Sequence, residues 1–137
     1  MKATIFTDGA CRGNPGPAAC SAVVLAEGLP EKECAMFLGN ATNNIAEYSG
    51  VILGLEQARK LGIDEVAIYS DSNLCVEQIR GSFKVSSGNL LPLYNRVKYL
   101  LRSFPKWEIH HIPREQNKRA DSLSNLVLDL HKLISQS

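Results

Sequence analysis

Two short β-forming runs in this chain stop on an acid, and that repetition constrains the fold more than any other feature. Thr4-Ile5-Phe6-Thr7 runs into Asp8-Gly9, and Glu65-Val66-Ala67-Ile68-Tyr69-Ser70 runs into Asp71. A turn-rich stretch holding Gly13, Asn14, Pro15 and Gly16 follows the first. Asp71-Ser72-Asn73 opens a short helix, LCVEQIR, after the second, and Gly81 stops it. A strand that ends on an acid before a polar loop puts a carboxylate at the rim of a sheet. Each case alone has an ordinary explanation, since Asp-Gly is a turn and Asp is a common helix N-cap. Together they ask for a fold that brings both strand ends to one edge.

The remaining segments supply such a fold. Residues 18–26, small and β-branched, suit a strand packed on both faces. A turn at Gly28-Leu29-Pro30 leads to a third strand over 32–39, antiparallel to the second. The polar loop 40–44 suits the start of a helix spanning 45–61. At about 100° per residue, Ile45, Tyr48, Val51, Ile52, Gly54, Leu55 and Ala58 share its apolar arc. Glu47 falls inside that arc, where a carboxylate is costly unless it is paired, hydrogen-bonded or holding a cation. Its plainer role is a first-turn acid gaining from the helix dipole.

After the fourth strand (65–71) and the short helix, Ser82–Asn89 reads as a loop carrying Lys84. Residues 90–104 form an amphipathic helix with Leu93, Val97, Leu100, Leu101 and Phe104 inward and Arg96, Lys98 and Arg102 on the polar side. A fifth strand covers 106–112. The last helix spans 118–134, with Leu123, Leu126, Val127, Leu130 and Leu133 among its apolar positions and Asp121 in its first turn. The order is βββαβααβα, an α/β chain with a five-stranded mixed sheet flanked by helices, expected as a single domain over 1–137. Right-handed crossovers set strand four parallel to strand one. Asp8 and Asp71 then meet at one sheet edge, with Glu47 and Asp121 brought over it by their helices. Four clustered carboxylates repel one another and raise pKa values. Divalent, oxygen-preferring ions relieve that conflict, and Mg²⁺ binds through a few carboxylates plus water and phosphate oxygens. Two such ions would support in-line phosphodiester displacement.

Composition narrows the partners. A net charge of +1 gives no global field toward nucleic acid or membrane, so a polyanion must be met by local patches. Cys11, Cys20, Cys34 and Cys75 are scattered without zinc spacing and fit reduced thiols in a cytoplasmic protein. The N-terminus enters a strand without a signal-peptide pattern, and no apolar run approaches the ~20 residues of a membrane span.

Asp8 in TDGACRGNPGP, Glu47 in TNNIAEY, Asp71 in YSDSNL and Asp121 in REQNKRAD together resemble ribonuclease H, type 1, over about residues 2–130. The resemblance implies a ribonuclease H-like fold and hydrolysis of the RNA strand of an RNA–DNA hybrid. It implies 3′-hydroxyl and 5′-phosphate products and two Mg²⁺ ions, with Mn²⁺ as a substitute. By position, Asp8 is expected to bridge both metals, with Asp71 a further ligand. Glu47 is expected to bind one metal and help read the scissile ribose, and Asp121 to hold the metal nearer the attacking water. Asn14, Asn43 and Asn44 match residues that contact the minor groove, where amides can donate to and accept from a 2′-hydroxyl. Thr42 matches a position near a DNA phosphate, and Asn73 an amide that touches the hybrid. Helix capping is the competing role for Thr42, Asn43 and Asn44.

Two features depart from many family members. The loop before the last acid looks short, and alternation sends His110 and His111 to opposite faces. This leaves Arg114 or a histidine as candidates near the leaving phosphate. The basic handle is sparse, as in a compact archaeal or bacterial subtype, so binding would rest on Arg12, Lys84, Arg96, Arg114, Lys118 and Arg119 with a shallow salt slope. A monomer acting on the hybrid is the expected form. The alternatives are a duplex-binding module with little turnover and a nuclease that also accepts double-stranded RNA.

Overall fold

The structure, a computed structural model, describes residues 1–136. Nine elements follow the expected order, β1 (Lys2–Cys11), β2 (Gly16–Ala26), β3 (Lys32–Ala41), α1 (Asn43–Lys60), β4 (Glu65–Ser70), α2 (Asn73–Arg80), α3 (Leu91–Leu101), β5 (Lys106–His111) and α4 (Lys118–Ser135), with a 3₁₀ turn at Arg114–Gln116 added before α4. The strands lie in the order β3-β2-β1-β4-β5. The first three form an antiparallel meander, and β4 and β5 add in parallel with β1.

β1 does not end at Asp8. It continues to Cys11, paired with β2 as far as Cys11↔Ala18, whereas its ladder with β4 stops at Thr7↔Ser70. Asp-Gly is a strand interior here because β2 offers a longer partner than β4 does. Asp8 therefore marks the end of the parallel ladder, and Asp71 is the first residue beyond β4.

The two faces of the sheet are covered differently. Ile5 and Thr7 point toward α1, where a main core gathers Tyr48, Val51 and Leu55 with Val76, Leu100 and Phe104 from α2, α3 and the turn after α3. Phe6 and Asp8 point to the opposite face, toward α4. The residues buried on α4 are Ala120, Ser124 and Leu128, spaced one turn apart, while Leu126, Leu130 and Leu133 stay exposed. The helix thus seats on the sheet through its small side chains rather than its leucine stripe. Ser21 of β2 donates to the Ala120 carbonyl at 2.6 Å and pairs with the Ser124 hydroxyl at 2.8 Å, both buried. On α3, Val97, Leu100 and Leu101 are buried as expected, but the helix ends at Leu101 and Phe104 packs from the following turn. Lys98 is half-buried: its Nζ donates to the Ile79 carbonyl at 2.5 Å, and partial burial lowers its pKa. The four cysteines are free, and no described helix is long and apolar enough to cross a membrane.

Candidate active site

Glu47 reaches the sheet edge because, at Gly9 and Gly50, the backbones of β1 and α1 lie directly against each other. A Cβ at Gly9 would sit 2.2 Å from the Ala46 carbonyl carbon, and one at Gly50 would sit 2.6 Å from the Asp8 carbonyl oxygen. Only glycine allows that approach. It carries Glu47 to Gly9, whose backbone N–H donates to Oε1 at 2.6 Å. Asp8 (3% exposed) and Glu47 (8% exposed) are both buried. Asp71 joins them from the end of β4, where Asn117 Nδ2 donates to its Oδ2 at 3.3 Å and to the Thr7 carbonyl at 2.8 Å. Asp8, Glu47 and Asp71 each offer an oxygen within 4.8 Å of the others.

Asp121 stands outside that tight group but lines the same cleft, of about 410 Å³, together with Asp8, Asp71, Arg12, Asn43 and Arg114. Arg114 Nη2 lies 3.6 Å from Asp121 Oδ1. The sheet and helices thus bring the four acids to one place, three tightly and the fourth on the cleft wall.

Burial, then the neighbouring Asp71 and Asp121, pushes Asp8 up to about 7, against opposing pulls from the Ser124 hydroxyl and Arg114. Glu47 is held well above the usual carboxylate range, first by burial and then by Asp8 and Asp71, with the Gly9 N–H opposing. Asp8 Oδ2 and Glu47 Oε2 are buried without a hydrogen-bond partner. Buried polar atoms without partners are rare in folded proteins, and unmet oxygens on clustered carboxylates are what a hard divalent cation satisfies. Mg²⁺ or Mn²⁺ fits this donor set. Burial, then the nearby Asp8 and Glu47 carboxylates, pushes the Cys20 thiol up to about 12, which keeps it protonated in the metal-free site.

A second cleft of about 250 Å³ is lined by Asn14, Thr42, Asn44, Ser87 and Asn89. Thr42 is the N-cap of α1, accepting from Ile45 N at 3.3 Å, so the capping role falls to it rather than to Asn43 or Asn44. Asn14 Oδ1 accepts from the Asn43 N–H at 3.1 Å and ties the two amide-bearing loops together. Asn73 opens α2 and Lys84 sits on the 82–89 loop, both exposed and neither lining these two clefts.

The basic patch is more committed than charge alone suggests. Arg12 pairs with Asp129 at 2.6 Å, Arg96 with Glu56 at 3.0 Å, and Arg119 with Glu31 and Glu33 at 2.8 and 2.6 Å. His110 contacts Glu108 at 3.1 Å, and neither it nor His111 lines the acidic cleft. Of the candidates near the fourth acid, Arg114 is the one in place. Sequence reasoning did not single out Asn117, Asn125, Ser87 or Asn89. The spacing of Asn125, one helical turn past Asp121, was a readable signal; the reach of Asn117 to residues 110 and 46 positions away was not.

A profile of the reverse transcriptase-like family matches residues 6–127. A bifunctional protein of Mycobacterium tuberculosis is 44% identical over 131 residues, covering 94% of this chain and 36% of the relative. The chain thus spans about a third of that relative's length. A ribonuclease H of Pseudomonas syringae is 34% identical over 141 residues, covering 91% of each chain. Among solved structures, ribonuclease H1 of the archaeon Halobacterium salinarum superposes with a TM-score of 0.89 at 38% identity, covering 94% of this chain and 98% of that one. A ribonuclease H1 solved in complex with an RNA/DNA hybrid gives 0.87 at 36% identity, with 94% and 98% covered. The acid-lined sheet edge, the strand order and these likenesses agree: the chain belongs to the ribonuclease H family, type 1.

Proposed function

We propose that this chain is a metal-dependent endonuclease that hydrolyses the RNA strand of RNA–DNA hybrids, leaving 3′-hydroxyl and 5′-phosphate ends, and that residues 1–137 act as one ribonuclease H domain. The observation that carries the reading is the meeting of Asp8, Glu47 and Asp71 within 4.8 Å, two of their oxygens buried and unsatisfied. These acids would hold two Mg²⁺ ions, or Mn²⁺ in their place, with Asp121 completing the set. Bound there, the cations supply an activated water and charge stabilisation at the departing oxygen.

The other residues bind and orient. Asn14, Asn43 and Asn44 present amides that both donate to and accept from 2′-hydroxyls, the group that distinguishes RNA from DNA. Thr42, beside them, faces a backbone phosphate. Arg114 brings a guanidinium to the cleft wall, suited to a phosphate oxygen on the leaving side. Arg12, Asn73 and Lys84 extend the contact surface along the duplex.

The test is cleavage of end-labelled RNA–DNA, RNA–RNA and DNA–DNA duplexes with Mg²⁺ or Mn²⁺. The expected result is scission of the RNA strand of the hybrid, dependent on added metal. Hybrid binding without scission under either metal would reduce the protein to a duplex-binding module, and scission of duplex RNA would widen its substrate range.

A further inference from the structure

Asp121 differs from the other acids in how it is held. Glu47 takes a backbone N–H and Asp71 takes the Asn117 amide. The side chain of Asp121 is 29% exposed on the cleft wall, with Arg114 beside its Oδ1. Its remaining restraint comes from Asn125, four residues on along α4. Asn125 Nδ2 donates to the Asp121 backbone carbonyl at 3.0 Å and to its Oδ1 at 3.3 Å. The other end of the same amide, Oδ1, accepts from Arg12 Nη2 at 3.4 Å. That Arg12 nitrogen is held 2.6 Å from Asp129 Oδ1. Arg12, Asn125 and Asp121 all line the acidic cleft.

We propose that Asn125 is a positioning residue that aims the Asp121 carboxylate into the metal site with its donor end while its carbonyl end accepts from Arg12. The residue type follows from the two jobs. A carboxylate at this position could accept from Arg12 but would repel Asp121, and an ammonium could donate to Asp121 but would repel Arg12. A primary amide donates in one direction and accepts in the other. Groups one step removed from a metal fix its ligands' orientation, and their loss costs about 10- to 100-fold in affinity or activity. The inference rests on the ribonuclease H reading of the cleft.

The experiment uses the intact protein and two readouts. Mn²⁺ is titrated while paramagnetic broadening of the backbone amide signals of residues 120–122 is followed without substrate. Hybrid cleavage is then measured across Mg²⁺ concentration. Asn125→Ala should need about tenfold more metal in both, with KM for the hybrid at saturating Mg²⁺ unchanged. Asn125→Asp, which keeps the acceptor and loses the donor, should be at least as impaired. Asp129→Ala, which frees Arg12 but leaves the amide on Asp121, should keep the wild-type metal titration. A wild-type titration in Asn125→Ala or Asn125→Asp overturns the proposal, as does a shift in Asp129→Ala as large as that in Asn125→Ala. Failure of the wild-type protein to cleave any hybrid would instead sink the nuclease reading, and the broadening experiment still reports on Asn125.

Discussion

The two faces of the sheet hold their acids by different physics. On the α1 face the contact is backbone against backbone, through Gly9 and Gly50, over a core of large apolar side chains. On the α4 face the contact is made by small and polar groups: Ser21 with Ser124, Asn117 with Thr7 and Asp71, Asn125 with Asp121. Glu47 is therefore aimed by the path of the chain itself, and Asp121 by hydrogen bonds between side chains. Close-packed backbone has no soft adjustment, whereas a hydrogen-bonded amide can be lost one partner at a time.

That contrast can be broken from either side. The largest effect should come at the acid cluster itself: Asp71→Asn should lower hybrid cleavage by more than about 100-fold, beyond the usual cost of losing an outer-shell partner. Circular dichroism should show the fold intact, and near-normal turnover would refute a metal role for Asp71. Gly50→Ala should come next. Its new methyl would meet the Asp8 carbonyl, at a cost of about 1–3 kcal/mol in denaturant unfolding, and should also impair cleavage by displacing Glu47.

A third test uses pH. Asp8 is raised from 3.8 to about 7, so the folded protein holds a proton that the unfolded chain has lost across that interval. Without metal, stability should therefore be greatest near pH 4, fall as pH rises toward 7, and stay low above it. Asp8→Asn should reduce that fall and leave the share that comes from the raised Glu47, and at pH 8 Mg²⁺ should raise the wild-type melting temperature by about 3 °C or more. A flat metal-free profile from pH 4 to 7 would contradict the buried cluster.

On the α4 face the effects should be smaller. Ser124→Ala should cost about 1 kcal/mol, whereas the Ser21→Ala, Ser124→Ala pair should be closer to neutral than the sum of its parts, since both polar partners leave together. Strict additivity would mean that the hydroxyls do not act as a pair. Smallest of all should be the salt response. With Arg12, Arg96 and Arg119 already paired to carboxylates, the dependence of hybrid affinity on salt should correspond to well below about ten phosphate contacts.

The same contrast explains what could be read from the chain alone. Every strand and α-helix was legible, because alternation, β-branched runs and turn residues are local signals, whereas the 3₁₀ turn at Arg114–Gln116 read only as a loop. Glu47 was legible as an acid on an apolar arc. The extension of β1 past Asp8 was not, because Asp-Gly looks like a turn until a long partner strand is supplied. The seating of α4 was hidden for another reason: Ala120 and Ser124 carry little hydrophobic signal, and the exposed Leu126, Leu130 and Leu133 carry more. The pairing of Arg12 and Arg119 depends on carboxylates more than 80 residues away in sequence, which no local pattern reports.

One consequence follows from the unequal lengths of β1's two ladders. Where β4 stops, β1 keeps going and leaves a ledge of strand with one side bare. The first N–H on that ledge, at Gly9, is claimed by Glu47, so a carboxylate stands where a neighbouring strand's carbonyl would otherwise be. Adding residues to β4 would set a growing ladder in competition with the acid for a single proton donor. The acidic notch exists because a strand ends early.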